Sequence, residues 1–191
     1  MRKMNFYGRK EERMNLYHYY EKGRTPFMTL SDLTNEEAIQ LHTKLTTEND
    51  IFARRDADGQ YMHQRRIVEE RAYSMFVRKG GKPQRKAPHY MILAETELVE
   101  CKAWFLDCAV VKIALNEFDK NTLSFTYGDS FPTFKPIFDE ASVYDLFLYD
   151  EILEVIAKRG MPPARNENMS WLEPSYIEVQ VWSDETISKY R

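Results

Sequence analysis

At 191 residues the chain sits near the upper end of one-domain size, long enough to bury a core without disulfides or metal, and a single domain over 1–191 is expected. Hydrophobic residues at 43%, charged residues at 30%, seven Gly and eight Pro argue against a disordered or fibrous chain. The net charge of −3 argues against a globally basic nucleic-acid binder, yet residues 1–90 carry 18 Lys and Arg against 12 Asp and Glu, and residues 91–191 carry 9 against 18. Two oppositely charged halves that complement one another within one fold are the simplest reading.

In chain order, Leu16-Tyr17-His18-Tyr19-Tyr20 alternates as a short strand, with Leu16, His18 and Tyr20 on one face. Thr34 and Glu37 form a capping box, and Ala38, Leu41, His42 and Leu45 recur at helical spacing, which predicts a helix over about 35–47. A turn is read at Asp56-Ala57-Asp58-Gly59. From Gln60 to about Lys79 runs the strongest helix, with Tyr61, Val68, Ala72, Met75 and Phe76 as its inward stripe and Gly80-Gly81 as its stop. Arg65 lies inside that stripe, four residues before Glu69; Arg65→Leu is expected to be tolerated better than Glu69→Leu. Lys82-Pro83-Gln84-Arg85-Lys86-Ala87-Pro88-His89 reads as a loop, because its prolines remove donors and restrict their neighbours, and an internal boundary is placed near 80–89. Strands follow at Tyr90–Ala94, Val110–Leu115, Leu123–Tyr127, Val143–Leu148 and Tyr176–Trp182, with a helix capped by Asp150 and ended by Arg159-Gly160 before the last. Helices early and strands late give an α+β fold: a mostly antiparallel sheet from the C-terminal half, packed with about three helices.

The two cysteines, Cys101 and Cys108, and the absence of an apolar segment after Met1-Arg2-Lys3-Met4 predict a cytoplasmic chain with reduced thiols. No apolar run approaches the roughly 20 residues that span a bilayer, so no membrane association is expected. Histidines 18, 42, 63 and 89 are scattered, and no zinc spacing, phosphate-binding Gly loop or nucleophile elbow is present, so neither metal nor cofactor is expected.

Two places carry candidate chemistry. Arg78, Lys79, Lys82, Arg85, Lys86 and His89 cluster cations that could grip phosphates, while the same residues serve equally as a solvated loop or one docked on the acidic half. Strand alternation also places Ser124, Thr126, Glu178 and Gln180 on one polar face, with Trp182 beside them and His18 converging if the strands are neighbours. The plain reading is the wet face of a half-covered sheet. Trp182 fits that reading least well, since an exposed indole marks contact with something.

Leu16-Tyr17-His18-Tyr19-Tyr20-Glu21-Lys22, Pro26 through Leu33, Gly80-Gly81-Lys82-Pro83 with Pro88-His89-Tyr90, Ser124-Phe125-Thr126-Tyr127-Gly128-Asp129 and Glu178 through Glu185 together resemble an uncharacterised family of small bacterial proteins. The resemblance covers nearly the whole chain and implies a bacterial cytosolic setting, with no catalytic residue to carry over. His18, then Ser124-Phe125-Thr126, then Glu178-Val179-Gln180 also follow the chain order of ADP-ribosyltransferases. Gln180, however, stands where that family needs a carboxylate against the ribosyl cation. The first expectation is therefore a binding or interaction protein without recognisable catalysis, its partner a protein or a nucleotide. The runner-up is a nucleotide-substrate enzyme in which His18 orients a ribose, Tyr127 stacks and Glu178 supplies negative charge. Nucleic-acid binding through Lys82, Arg85, Lys86 and His89 is the third.

Overall fold

The alternation around His18 resolves into strand β1 (Asn15–Glu21), which pairs antiparallel with β2 (His89–Ala94) on one side and β3 (Cys108–Ala114) on the other. The sheet continues from β2 through β6 (Ile177–Val181) and β4 (Leu123–Thr126) to β5 (Leu146–Phe147), in the order β3-β1-β2-β6-β4-β5, antiparallel at every pairing. The computed structural model describes residues 14–48, 59–94, 107–134, 145–162 and 176–191. The expected turn at 56–58 and the start of the 143–148 strand lie outside them. Around the sheet stand helices α1 (Asn35–Glu48), α2 (Tyr61–Arg78) and α4 (Tyr149–Arg159), with a short α3 (Ser130–Phe134). This is the α+β fold that the sequence pattern predicts, with most strands in the C-terminal half.

Local chemistry explains where the helices begin and end. Thr34 accepts from the Glu37 N–H and Glu37 accepts from the Thr34 N–H, the reciprocal box that starts α1. The start of α4 is a correction: Leu148, not Asp150, precedes it, and its N–H is held by the Glu151 carboxylate at 2.8 Å. At the end of α2, Gly80 takes φ 95 and Gly81 lies so close to the Phe76 ring that a Cβ there would stand 2.2 Å from it.

Both faces of the sheet are covered. On one, Leu16, Met91, Leu93, Ile113, Phe125, Val179 and Val181 pack with Ile152 and Ile156 of α4. On the other, Leu146 and Trp182 pack with Val68, Ala72 and Phe76 of α2. The expectation of a wet face is therefore corrected: Ser124, Gln180 and Trp182 are each 0% exposed and Thr126 is 1% exposed, because α2 lies across them. The 82–88 segment is bound on two sides, with Lys82 N–H donating to Asn121 and Gln84 N–H to the Trp182 carbonyl, each at 2.8 Å.

Candidate functional site

The inward stripe of α2 changes character along its length. Its C-terminal half presents Ala72 and Phe76, while its N-terminal half presents Tyr61, Arg65 and Glu69 beside Val68. A core-facing helix gains nothing from buried charge unless each charge is met. Here the 29–33 segment meets most of it: Arg65 Nε donates to Ser31 Oγ at 2.8 Å and lies 3.0 Å from Glu69 Oε1, its Nη1 donates to Tyr61 Oη at 2.8 Å and its Nη2 to Thr29 Oγ1 at 3.1 Å. Ser31 Oγ in turn donates to Glu69 Oε1 at 2.6 Å. The guanidinium also stands 5.2 Å from the centre of the Tyr90 ring, and Tyr61 is stacked between His42 and Phe131 at 4.8 and 5.6 Å. Arg66 extends the same junction, donating to the carbonyls of Ser31 and Leu33 at 2.8 and 2.9 Å.

Below this half of α2 the sheet supplies a polar floor. Antiparallel register sets Tyr90, Gln180 and Ser124 abreast on three strands, and Ile92, Glu178 and Thr126 abreast in the next row. A chain of hydrogen bonds joins Ser124, Gln180 and Glu178. Trp182 Nε1 donates to Ser124 Oγ at 2.8 Å, Ser124 Oγ to Gln180 Oε1 at 2.8 Å, and Gln180 Nε2 to Glu178 Oε1 at 3.0 Å. The Ser130 N–H at the start of α3 also points at Glu178 Oε1, at 3.4 Å. The indole at its head can only donate, so Ser124 Oγ accepts there and its own proton is left for Gln180. Burial, and then the nearby charge of Asp129, push the Glu178 carboxyl up to about 8, so it is mostly protonated near neutral pH. Burial first, then the charge of Glu69, raises the Tyr90 phenol, and Glu178 adds to the rise.

His18 does not join this group. It follows Leu16 on the α4-covered face, whereas Ser124, Thr126, Glu178 and Gln180 face α2. Its Nδ1 lies 3.1 Å from the Tyr90 carbonyl, which can only accept, so Nδ1 carries the proton and Nε2 accepts the Phe27 N–H at 2.9 Å. Burial pushes the imidazole down to about 4. Its work is structural: Phe27 sits at φ 61, where bulky residues are rare, held by that bond and by ring stacking at 4.1 Å. Tyr127 is also elsewhere, donating to the Gly160 carbonyl at 3.0 Å. The two groups named for ribose orientation and stacking are therefore parted from Glu178.

The basic segment is likewise more engaged than its sequence suggests. Arg85, with its side chain 10% exposed, is paired with Asp32 and Asp184. His89 is buried on the α4 side, 2.8 Å from Asp184, and is pushed down to about 3 by burial first and then by Arg85. Lys79 pairs with Glu151 at 2.8 Å. Lys86 stands 4.6 Å over the Tyr73 ring, while Arg78 and Lys82 are exposed. Trp182 and Gln180, proposed as contact residues, are interior for the reason already given: α2 covers them.

Tyr61, Arg66, Glu69, Ser31 and Tyr90 were not among the residues singled out for chemistry. The signal available was Arg65 on an apolar stripe with Glu69 one turn on, which demands partners but does not name them. Among the described residues no group of three or more His, Cys, Asp and Glu is placed to hold a metal ion, and no helix is long and apolar enough to cross a membrane. Comparison with protein-family models, with curated proteins and with solved structures finds no match.

Proposed function

We propose that this chain is a binding protein that takes a small polar molecule between the N-terminal half of α2 and the sheet. The observation that carries the reading is a continuous polar layer: Glu69, Arg65 and Ser31 meet under the helix, Arg65 stands over the Tyr90 ring, and Tyr90 lies abreast of Gln180, which is bonded to the second carboxyl, Glu178. Replacing buried ion pairs by apolar side chains of similar size is often neutral or stabilising, so such a layer is not needed to hold α2 down. Sites where polar groups converge against local packing preference are the usual places for ligands. The resemblance to small bacterial proteins suggests a bacterial cytosolic setting.

Ribosyl transfer is not proposed. His18 and Tyr127 are engaged on the other side of the sheet, and the Gln180 amide is held by Ser124 and Glu178. A nucleic-acid role is not proposed either, because Lys79, Arg85 and His89 serve contacts within the fold.

Thermal unfolding against a panel of nucleosides, sugars, amino acids and amines tests the reading. A ligand present at a hundred times its Kd stabilises by about 2.7 kcal/mol, roughly 5–10 °C for a chain of this size. The shift should shrink in Glu69→Gln and Glu178→Gln. No shift with any class, or one indifferent to both variants, would refute the reading.

A further inference from the structure

Two buried polar atoms of α2 have no hydrogen-bond partner among the described residues: the donor Arg66 Nε and the acceptor Glu69 Oε2. Three residues apart, they lie on neighbouring positions of one helical face. Both side chains are held by one residue, since Arg66 donates to the Ser31 carbonyl and Glu69 accepts from the Ser31 hydroxyl. Leaving either atom unmet costs more than an ordinary hydrogen bond is worth, and both belong to charged groups. One group of atoms answers both demands. A hydroxyl accepts from an N–H and donates to a carboxylate oxygen at the same time.

From this junction we infer that the ligand presents a neutral hydroxyl, as a polyol or sugar does, bridging Arg66 and Glu69 beside Ser31. The inference rests on the binding reading above and narrows it. A phosphate or carboxylate would suit Arg66 but confront the Glu69 carboxylate, which is 3% exposed and so poorly screened. An ammonium would suit Glu69 but confront Arg65 and Arg66. A neutral hydroxyl meets neither objection. Water offers the same chemistry, so the test has to separate a water from a ligand hydroxyl.

Arginine Nε–H resonances report this directly. In ¹H–¹⁵N spectra of the full chain the Arg66 Nε–H is identified by its loss in Arg66→Lys, or by through-bond assignment if that variant does not fold. Ribose and glycerol are titrated in parallel with inorganic phosphate and ethylammonium. Ribose should move the Arg66 Nε–H saturably, and Glu69→Gln, which puts an amide where the hydroxyl needs an acceptor, should weaken it at least about tenfold. If polyols leave the resonance unmoved and its only cross-peaks are to water, the junction holds water and the inference fails. If phosphate or ethylammonium moves it instead, the site stands and the hydroxyl class is wrong. If no probe moves it and no compound shifts the melting temperature, both the class and the binding reading fail.

Discussion

Glu178→Gln should remove a loss of stability that the wild-type chain shows on going from neutral to alkaline pH. The folded carboxyl keeps its proton up to about 8, whereas an unfolded glutamate gives it up near 4.5. Between those values the folded state binds more protons than the unfolded one, so stability is fully present below about 4.5 and declines as pH rises. His18 and His89 act in the opposite sense: held down to about 4 and about 3 in the fold, against 6.5 unfolded, they lower stability only as pH falls below 6.5. Above that point Glu178 alone of the three still differs between states. From about pH 6.5 to 9 the difference amounts to roughly 1.5 pK units, or about 2 kcal/mol, which corresponds to about 4–8 °C in Tm. Urea unfolding at half-unit steps of pH would measure it. The wild-type curve should peak near pH 6.5 and fall beyond it, and the Glu178→Gln curve should stay level. A wild-type curve that is flat to pH 9, or a fall that persists in Glu178→Gln, would refute the buried, protonated state of this carboxyl.

Four further substitutions follow from contacts within the fold. Arg65→Leu should cost about 3–5 kcal/mol because it strands the Glu69 carboxylate, and Glu69→Leu less, because Arg65 keeps Tyr61, Thr29 and Ser31; chemical denaturation gives the order. This reverses the expectation from sequence, which saw only the pair and not the partners that Arg65 has elsewhere. Trp182→Ala should lose about 3–5 kcal/mol in the same assay, as a buried indole packed on Phe76, whereas a contact residue at the surface would leave stability unchanged. Gly81→Ala should destabilise by about 1–3 kcal/mol, since its Cβ would overlap the Phe76 ring, while an unchanged Tm would show that the ring moves aside.

The fold was legible where periodicity carries the information. Leu123, Phe125, Ile177, Val179 and Val181 alternate because one face of β4 and β6 is core, and Thr34 with Glu37 starts α1 through bonds within four residues of sequence. What alternation leaves open is the environment of the other face. Ser124, Thr126 and Gln180 look solvated in a strand pattern, but α2 is long enough to lay Ala72 and Phe76 over Trp182 and enclose them. Face assignment between strands is equally hidden: His18 and Gln180 are each readable within a strand, and only the β1–β2–β6 register puts them on opposite sides. For the candidate site the sequence offered Glu178 and the strain of Arg65 on an apolar stripe. Ser31, Tyr90 and Glu69 reach that place from separate elements, at sequence separations that no local pattern encodes.

The central claim is that the polar layer under α2 serves a ligand and not the fold. It is tested most directly by unfolding the wild type and the double variant Arg65→Met/Glu69→Leu with and without the compounds that stabilise the wild type. The account predicts that the double variant is at least as stable as the wild type without ligand, and that every ligand-induced rise in Tm is lost. A double variant that is several kcal/mol less stable, together with a wild type that no compound stabilises, would mean that the layer is structural and would contradict the account.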